Sequence, residues 1–290
     1  MNIFFPKEHI NEARFSLTGE TAEKFLKKNI DLYVEETVQF QDALLNNLIE
    51  TAKVKTISRQ QGLSSADIIC SLNKLSLDDI AHVKQDTLVV SFLDPFNEVE
   101  LISELKNRSI SSISMELVPR TTRAQKMDAL SSQANLAGYS AVIIASNHLE
   151  KALPMMMTAA GTISPSKVFV VGVGVAGLQA IATAKRLGAR VEAFDTREEV
   201  EDQVKSLGAR FVKIDLGETE QTSQGYAKAL TADQIKKQQE GMKKVCSSSD
   251  IVITTAQVFG RPAPKIITAE MVEAMQPGSC LLYTSPSPRD

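Results

Sequence analysis

Short apolar runs alternate with amphipathic segments along the first 118 residues. Runs rich in β-branched and aromatic residues, such as TLVVSFL at Thr87–Leu93, are followed by segments with apolar residues at helical spacing. Strands that alternate with helices favour a parallel sheet. The predicted strands are Asn2–Phe5, Ile30–Glu35, Thr87–Leu93 and Ile110–Leu117, and Asp67–Leu72 is a further short apolar run. The predicted helices include Thr21–Lys28, with Thr18 as its candidate N-cap, and Asn97–Lys106.

The same alternation returns after a connecting stretch. Residues 121–146 carry apolar side chains along one face and predict one long helix, and Gly161–Ser166 predicts a loop. We therefore predict an N-terminal α/β domain over residues 1–136 and a second one over 137–279. The predicted strands of the second domain are Lys167–Val171, Arg190–Phe194, Phe211–Ile214 and Ile251–Thr254, and its helices are Leu178–Leu187, Glu198–Leu207, Ala232–Ser247 and Thr268–Met275.

Composition and charge narrow the class of protein. The 290 residues are 43% hydrophobic and 23% charged, which is typical of a globular chain of about two domains. The net charge of −3 gives no basic excess, so a nucleic-acid partner is not expected. No apolar run approaches the roughly 18 residues that span a bilayer. The three cysteines cannot form a disulfide framework, so we expect a reducing, cytosolic setting.

The last eleven residues, CLLYTSPSPRD at 280–290, read as an artefact. A codon string that spells a common transposase adapter of sequencing libraries would encode all of them, and such scars are excluded from fold reasoning. A genuine Ser/Pro-rich tail is the alternative. On the first interpretation the natural sequence stops near Ser279, before the fifth strand of the second sheet. We therefore expect an incomplete second sheet with an exposed edge, low stability and no activity of the fragment alone.

A glycine-rich turn follows the first strand of the second domain. Gly172, Gly174 and Gly177 form a GxGxxG motif between a predicted strand and a predicted helix, and Asp195 ends the next strand 18 residues after Gly177. In this context the glycines allow a tight turn and close approach of a pyrophosphate, and the carboxylate accepts hydrogen bonds from ribose hydroxyls. The motif predicts a dinucleotide site that favours NAD over NADP, a preference that the nearby Arg197 weakens. A glycine turn without cofactor, or a flavin or S-adenosylmethionine site, are the alternatives.

Polar side chains recur at helical spacing near the start of the connecting helix. Arg120, Gln125, Asp128 and Ser131 could converge on one ligand. A solvated first helical turn is the alternative interpretation. The three histidines lie in no motif, so no acid or base for an alcohol or amine dehydrogenase is identified. No metal site is predicted.

The chain resembles one known family over essentially all of residues 1–279. The segments MTAAGTISPSKVFVVGVGVAGLQAIATAKRLGARVEAFDTR, VPRTTRAQKMDALSSQANLAGYSAVI and DIVITTAQVFGRPAPKIIT resemble the NAD(H)-binding part of the proton-translocating NAD(P) transhydrogenase alpha subunit. The resemblance implies two Rossmann-like, doubly wound parallel-sheet α/β domains around a cleft, the second incomplete here. It implies that the chain binds NADH and passes hydride directly to NADP(H) held on a partner component, while a membrane component couples the transfer to proton movement.

The resemblance also implies a setting and a set of site residues. It implies a homodimer on the cytoplasmic side of the inner or plasma membrane, with no membrane span in residues 1–279. Arg120, Gln125, Asp128 and Ser131 would form the catalytic loop that positions the nicotinamide, with Gln125 steering the ring. The other implied nucleotide contacts are Lys126, Met127, Gly172, Gly174, Val175, Ala176, Gly177, Asp195, Thr196, Arg197, Gly225, Tyr226 and Gln257.

The resemblance implies a specific role for Tyr226 and a departure from the family at Gln257. Tyr226 lies in a GYAK segment, which in the family is a mobile loop whose tyrosine closes over the nucleotide. Gln257 departs from the family pattern, in which an apolar residue at this position would cover the cofactor. A polar side chain here is expected to pack less well against the cofactor.

Two other functions remain open from the sequence. Alanine dehydrogenases share the fold, but they need a lysine and a histidine for their acid–base chemistry. The segments that we compare with those positions, 91–95 and 111–117, contain neither residue. A nucleotide-binding regulatory module without chemistry is the second alternative.

Overall fold

The computed structural model describes residues 1–9, 11–36, 38, 40–119, 121–217, 230–256 and 265–284. The chain divides into two compact units, Met1–Ala129 and Leu130–Asp290. Both units are α/β structures with a parallel sheet, as the sequence predicts. No helix within the described ranges combines the length and the apolar character needed to cross a membrane.

The first unit is a parallel sheet with helices on both faces. Its described strands lie in the order β3-β2-β1-β4-β5-β6, so the chain winds outward in both directions from β1 and β4. The strands are β1 Asn2–Phe5, β2 Asp31–Glu35, β3 Lys55–Ile57, β4 Ile68–Cys70, β5 Leu88–Ser91 and β6 Ser111–Ser114. The helices are α1 Gly19–Leu26, α2 Ala43–Glu50, α3 Arg59–Ser65, α4 Leu77–His82 and α5 Val99–Asn107, with 3₁₀ turns at Met115–Leu117 and Gln125–Met127.

Strand β1 shows why the helices must cover both faces of this sheet. Successive side chains of a strand point to opposite faces. Phe4 is fully buried in one hydrophobic cluster, whereas its neighbours Ile3 and Phe5 are buried in another. Helix α1 begins at Gly19, two residues before the predicted start at Thr21, but its predicted N-cap is confirmed, because the Thr18 side chain accepts a hydrogen bond from the Thr21 amide.

The second unit has the same architecture around a smaller sheet. Its described strands lie in the parallel order β11-β10-β9-β12-β13, beside a separate antiparallel hairpin, β7-β8. The strands are β7 Met156–Thr158, β8 Gly161–Ile163, β9 Lys167–Val171, β10 Arg190–Phe194, β11 Arg210–Phe211, β12 Ile251–Thr254 and β13 Cys280–Tyr283. The helices are α6 Ala129–His148, α7 Val175–Arg186, α8 Glu201–Ser206, preceded by a 3₁₀ turn, α9 Ala232–Cys246 and α10 Ala269–Ala274.

The prediction of one long helix over residues 121–146 is wrong for the first eight of these residues. Residues 121–124 form a turn, Gln125–Met127 form a 3₁₀ turn, and the α-helix starts only at Ala129. Asp128 has a non-helical backbone conformation, with φ −75° and ψ 80°. Aspartate is a favoured residue immediately before a helix, because its short side chain competes with helical hydrogen bonding. Apolar spacing alone did not reveal this break.

The expected absence of a fifth strand from the second sheet is also wrong. Cys280–Tyr283 forms β13, which pairs in parallel with β12 from Ile251 opposite Cys280 to Thr254 opposite Tyr283. Cys280 and Leu282 pack against the hydrophobic core while Leu281 and Tyr283 are exposed. A short apolar segment after the Pro277-Gly278 turn can form an edge strand whatever its origin, with alternate side chains facing the core.

Two smaller predictions also differ from the structure. The loop predicted over Gly161–Ser166 contains β8, which pairs with β7. The strand predicted over Phe211–Ile214 is the shorter β11. Among the described strands, β11 is an edge strand with a single neighbour, β10, whereas β8 pairs locally with β7 across a short turn.

Helix α6 passes very close to the beginning of α7. A side chain on Gly138 would place its Cβ 2.1 Å from the carbonyl oxygen of Ala176, so the contact requires glycine. Beyond this point α6 buries Ala141, Val142 and Ala145 in the core of the second unit. The approach therefore fixes the position of the first turn of α7.

Gly138→Ala should lower the free energy of unfolding by about 2–4 kcal/mol, because the new methyl group meets fixed backbone. Denaturant unfolding of the purified chain would measure this loss. Gly241→Ala is the matched control, since Gly241 also lies inside a helix but a Cβ there meets the side chain of Ile214, at 2.8 Å. Equal effects of the two substitutions would contradict the close backbone contact.

Candidate functional site

The candidate site lies at the carboxyl ends of the central strands of the second sheet. The chain leaves β9 for β10 on one side, and β12 lies on the other side of β9. Ligands of doubly wound sheets bind at such a switch in strand order. The glycine-rich turn begins here with Gly172, whose φ of +91° is in the region that favours glycine. A Cβ on Gly172 would lie 2.8 Å from the Ala256 amide nitrogen.

The other two glycines of the motif have different structural roles. A Cβ on Gly177 would lie 1.9 Å from the carbonyl oxygen of Gly172, so only glycine lets α7 pack this closely on the turn. A Cβ on Gly174 would have no atom within 4 Å, which leaves open space at the start of α7. Gly174 is the N-cap residue, and the first N–H groups of a helix have no acceptor within it. The open space and these donors fit a pyrophosphate.

Hydrogen bonds from both neighbouring strands hold the glycine turn. The Gly172 amide donates to the Phe194 carbonyl over 2.9 Å. The Thr255 hydroxyl, which follows β12, donates to the Gly172 carbonyl over 2.8 Å. On the other side, Asp195 accepts from the Val173 amide over 2.7 Å. Thr255 was not predicted from the sequence, because its contact arises only when β12 lies beside β9.

Asp195, the predicted ribose-binding residue, forms an ion pair with Arg197. The Nε and Nη2 atoms of Arg197 lie 2.9 Å and 2.8 Å from the two carboxylate oxygens. The two side chains are 7% and 17% exposed. The hydrogen bond to Asp195 outweighs the effect of burial and raises the pKa of the Arg197 guanidinium above its ordinary value. The sequence predicts Arg197 as a nucleotide contact that weakens the preference for NAD, and its pair with Asp195 becomes visible only in the structure.

A shallow hollow adjoins Asp195 on the side of β11. Its lining includes Phe194 and Thr196 from the end of β10, and Val212, Ile214 and Leu216 from the segment after β11. Asp195, Glu198 and Lys213 also line it, so its wall combines these charged groups with the apolar side chains. The predicted contact Thr196 therefore lies beside Asp195.

The segment 119–128 at the end of the first unit carries the predicted catalytic residues. Gln125, Lys126 and Met127 form the exposed 3₁₀ turn, and Asp128 follows it with a half-buried side chain. Ser131 lies in the first turn of α6, in the second unit. These residues therefore do not share one helical face, because the segment is not one continuous helix. The role of these residues stays a prediction.

Four predicted residues, Arg120, Gly225, Tyr226 and Gln257, lie outside the described residues. Val175 and Ala176, by contrast, occupy the first turn of α7 at the glycine motif. The structure thus brings together the glycines, Val175, Ala176, Asp195, Thr196 and Arg197 within the second unit.

Comparison with known proteins identifies the family of the chain. Residues 4–137 match the family described as "Alanine dehydrogenase/PNT, N-terminal domain", and residues 141–282 match its C-terminal domain. The chain is 43% identical over 293 residues to an NAD(P) transhydrogenase alpha subunit of Rickettsia prowazekii, covering 99% of this chain and 76% of that protein.

Solved structures agree with these matches. The crystal structure of transhydrogenase from Sinorhizobium meliloti is similar with a TM-score of 0.80 at 39% identity, covering 97% of this chain and 77% of that one. An L-alanine dehydrogenase structure reaches a TM-score of 0.75 at 21% identity, covering 98% of this chain and 73% of that one, which shows the shared fold. The chain belongs to the alanine dehydrogenase/PNT family and, within it, to the NAD(P) transhydrogenase alpha subunits.

Proposed function

We propose that the chain is the NAD(H)-binding component of a proton-translocating transhydrogenase and takes part in direct hydride transfer between NADH and NADP held on a partner component. The observation that carries this proposal is the glycine turn of the second unit, where Gly174 leaves open space in front of the α7 N-terminus. Family membership supports NAD(H) as the bound nucleotide.

The first turn of α7 supplies the binding energy for the phosphates. Its N–H groups, at Val175, Ala176 and Gly177, have no acceptors within the helix, and the helix dipole adds a partial positive charge. Gly138 and Gly177 hold this turn from two directions through contacts that no larger residue permits. The donors are therefore already in place before a ligand arrives, which lowers the entropic cost of binding.

The charges beside Asp195 favour NAD(H) over NADP(H). Four carboxylates follow within the next seven residues of the sequence. The nearby cation Lys213 is already paired with Glu201 over 2.9 Å, and Lys205 is paired with the same carboxylate. Arg197, the cation adjacent to Asp195, is likewise already paired with this carboxylate. A 2′-phosphate bound at Asp195 would be repelled by that carboxylate and by the acidic segment, whereas an uncharged ribose would not be repelled.

The Gln125 turn suits a positioning role. Bound NADH supplies a hydride from its nicotinamide ring, and direct transfer between two such rings requires alignment rather than a general acid or base. Gln125, Lys126 and Met127 are exposed on a short 3₁₀ turn, as expected of residues that must meet a partner component. We infer that Gln125 orients the ring, and that Arg120, Asp128 and Ser131 support this loop.

The same proposal covers the assembly. We infer an NADP-binding component, a membrane component that couples hydride transfer to proton movement, and a homodimer of this chain on the cytoplasmic side of the membrane. The alanine dehydrogenase alternative makes a different prediction. NADH formation from NAD that depends on alanine would support that enzyme and count against the transhydrogenase.

Substitutions of Gly174 and Gly177 should distinguish an effect on NADH binding from an effect on stability. Gly174→Ala should leave the melting temperature unchanged, because its methyl group meets no atom of the protein within 4 Å. It should weaken NADH binding by about tenfold or more, because the methyl group occupies the phosphate space. Gly177→Ala should instead lower the melting temperature, since its Cβ would lie 1.9 Å from the Gly172 carbonyl oxygen. Calorimetry and NADH fluorescence titration would measure both effects, and unchanged affinity in Gly174→Ala would count against the site.

Gln125→Asn should slow hydride transfer between NADH and NADP by about 10- to 100-fold, because shortening the side chain misplaces the ring. NADH affinity should change less than about twofold, since the phosphates and ribose bind elsewhere. Transfer would be followed in the reconstituted complex with an NAD analogue of distinct absorbance. Gln85→Asn is the matched control, because Gln85 is an exposed glutamine of the same unit that precedes β5 at the opposite end of the sheet. Equal rates in both variants would refute the positioning role.

A further inference from the structure

The Asp195 carboxylate has no acceptor position left for a ligand. An ionised carboxylate has about four lone-pair sites. Oδ1 accepts from the backbone N–H of Arg197 over 3.0 Å and from its Nε over 2.9 Å. Oδ2 accepts from the Val173 N–H over 2.7 Å and from Arg197 Nη2 over 2.8 Å. A ribose therefore cannot bind this carboxylate unless one of these donors leaves.

The four donors differ in their freedom to leave. The Val173 N–H belongs to the glycine turn, and the Arg197 N–H belongs to the bend after β10, so both are held by the fold. The Nε and Nη2 donors belong to a flexible side chain that can rotate away. Nη2 also donates to the Val173 carbonyl over 3.2 Å, which places the guanidinium against the glycine turn. Only the two side-chain positions can be exchanged without rebuilding the turn.

The guanidinium and a ribose offer the same kind of ligand to Asp195. The planar guanidinium presents two parallel N–H donors to the two oxygens of a carboxylate. The 2′- and 3′-hydroxyls of an adenosine ribose are likewise two adjacent donors. One group can thus replace the other with the number of hydrogen bonds to the carboxylate conserved.

We propose that Arg197 occupies the ribose position of Asp195 in the chain without nucleotide, and that its side chain leaves when the adenosine ribose of NAD(H) binds. This inference rests on the proposed function, because it assigns Arg197 a role in tuning affinity at the same site. Each binding event then breaks a nearly buried ion pair. The free energy of breaking this pair offsets part of the favourable free energy of the hydrogen bonds to the ribose. A protein that must release its nucleotide after each transfer gains faster release from such competition.

The test compares NADH with an analogue that lacks the adenosine 2′-hydroxyl, by fluorescence titration of the chain. The unaltered chain should discriminate between the two by less than about threefold, because each ribose hydrogen bond replaces one from Arg197. Arg197→Met keeps a flexible, unbranched side chain but is shorter and removes the side-chain donors. This variant should bind NADH about three- to tenfold more tightly and discriminate against the analogue by about tenfold or more.

Arg210→Met is the matched control. Arg210 also pairs with a carboxylate through Nε and Nη2, contacting Glu192 in the same sheet, but its side chain is 70% exposed. It should leave both affinities and their ratio unchanged. A general electrostatic effect of losing one arginine would instead appear in both variants.

The opposite result would overturn the proposal. If Arg197→Met weakens NADH binding and leaves the discrimination unchanged, Arg197 supports the bound ribose instead of yielding its place. If the unaltered chain binds no NADH, the proposed function fails and this inference fails with it, which is a distinct result.

Arg197→Lys keeps the inference testable if Arg197→Met does not fold. Lysine retains the charge but cannot form the two-pronged contact, so its discrimination should lie between those of the other two chains. Discrimination equal to that of the unaltered chain would refute the exchange.

Discussion

The site depends on one steric constraint, the contact between the turn after β9 and the helix that follows it. A Cβ at Gly177 would lie 1.9 Å from the Gly172 carbonyl oxygen, and one at Gly138 would lie 2.1 Å from the Ala176 carbonyl oxygen. Glycine at both positions lets the first turn of α7 pack against the strand on one side and against α6 on the other. The helix donors are thereby fixed in front of the open space at Gly174, so the remaining polar contacts act on a preformed frame.

The two units differ in what binds the backbone N–H groups at the carboxyl edge of their parallel sheets. In the first unit, carboxylates of the chain itself accept the backbone N–H groups at the carboxyl edge. Glu8 accepts from the amides of Leu72 and Asn73, and Glu116 accepts from those of Leu93 and Asp94. In the second unit, a glycine turn and a helix N-terminus occupy the equivalent edge and leave donors for an anion from outside. This difference gives a physical reason to place the nucleotide in the second unit.

The sequence predicts those parts of the structure that depend on local chemistry. Buried runs such as Lys167–Val171 become strands, and the GxGxxG motif has the strand before it and the helix after it that the motif requires. The predictions fail where distant contacts decide. Apolar spacing extended α6 through Asp128, and the adapter interpretation removed β13, which is held by pairing with β12. The contact of Arg197 with Asp195 was equally hidden, because two residues after a strand do not reveal where an arginine side chain folds back.

The proposed reaction requires rigid groups that bind one part of the nucleotide and an exposed segment that positions the other part. The dinucleotide's phosphates and adenosine are common to every turnover, so they are best bound by rigid groups such as the α7 N-terminus and the Asp195 carboxylate. The nicotinamide must reach a second nucleotide on another component, so its positioning residue belongs on an exposed segment such as Gln125–Met127. A ring aligned by hydrogen bonds needs no proton donor, which is why the lack of a histidine motif does not weaken a transhydrogenase as it weakens a dehydrogenase of amino acids. Tight binding would slow exchange of the nucleotide, so competition at Asp195 serves the same turnover that the exposed segment allows.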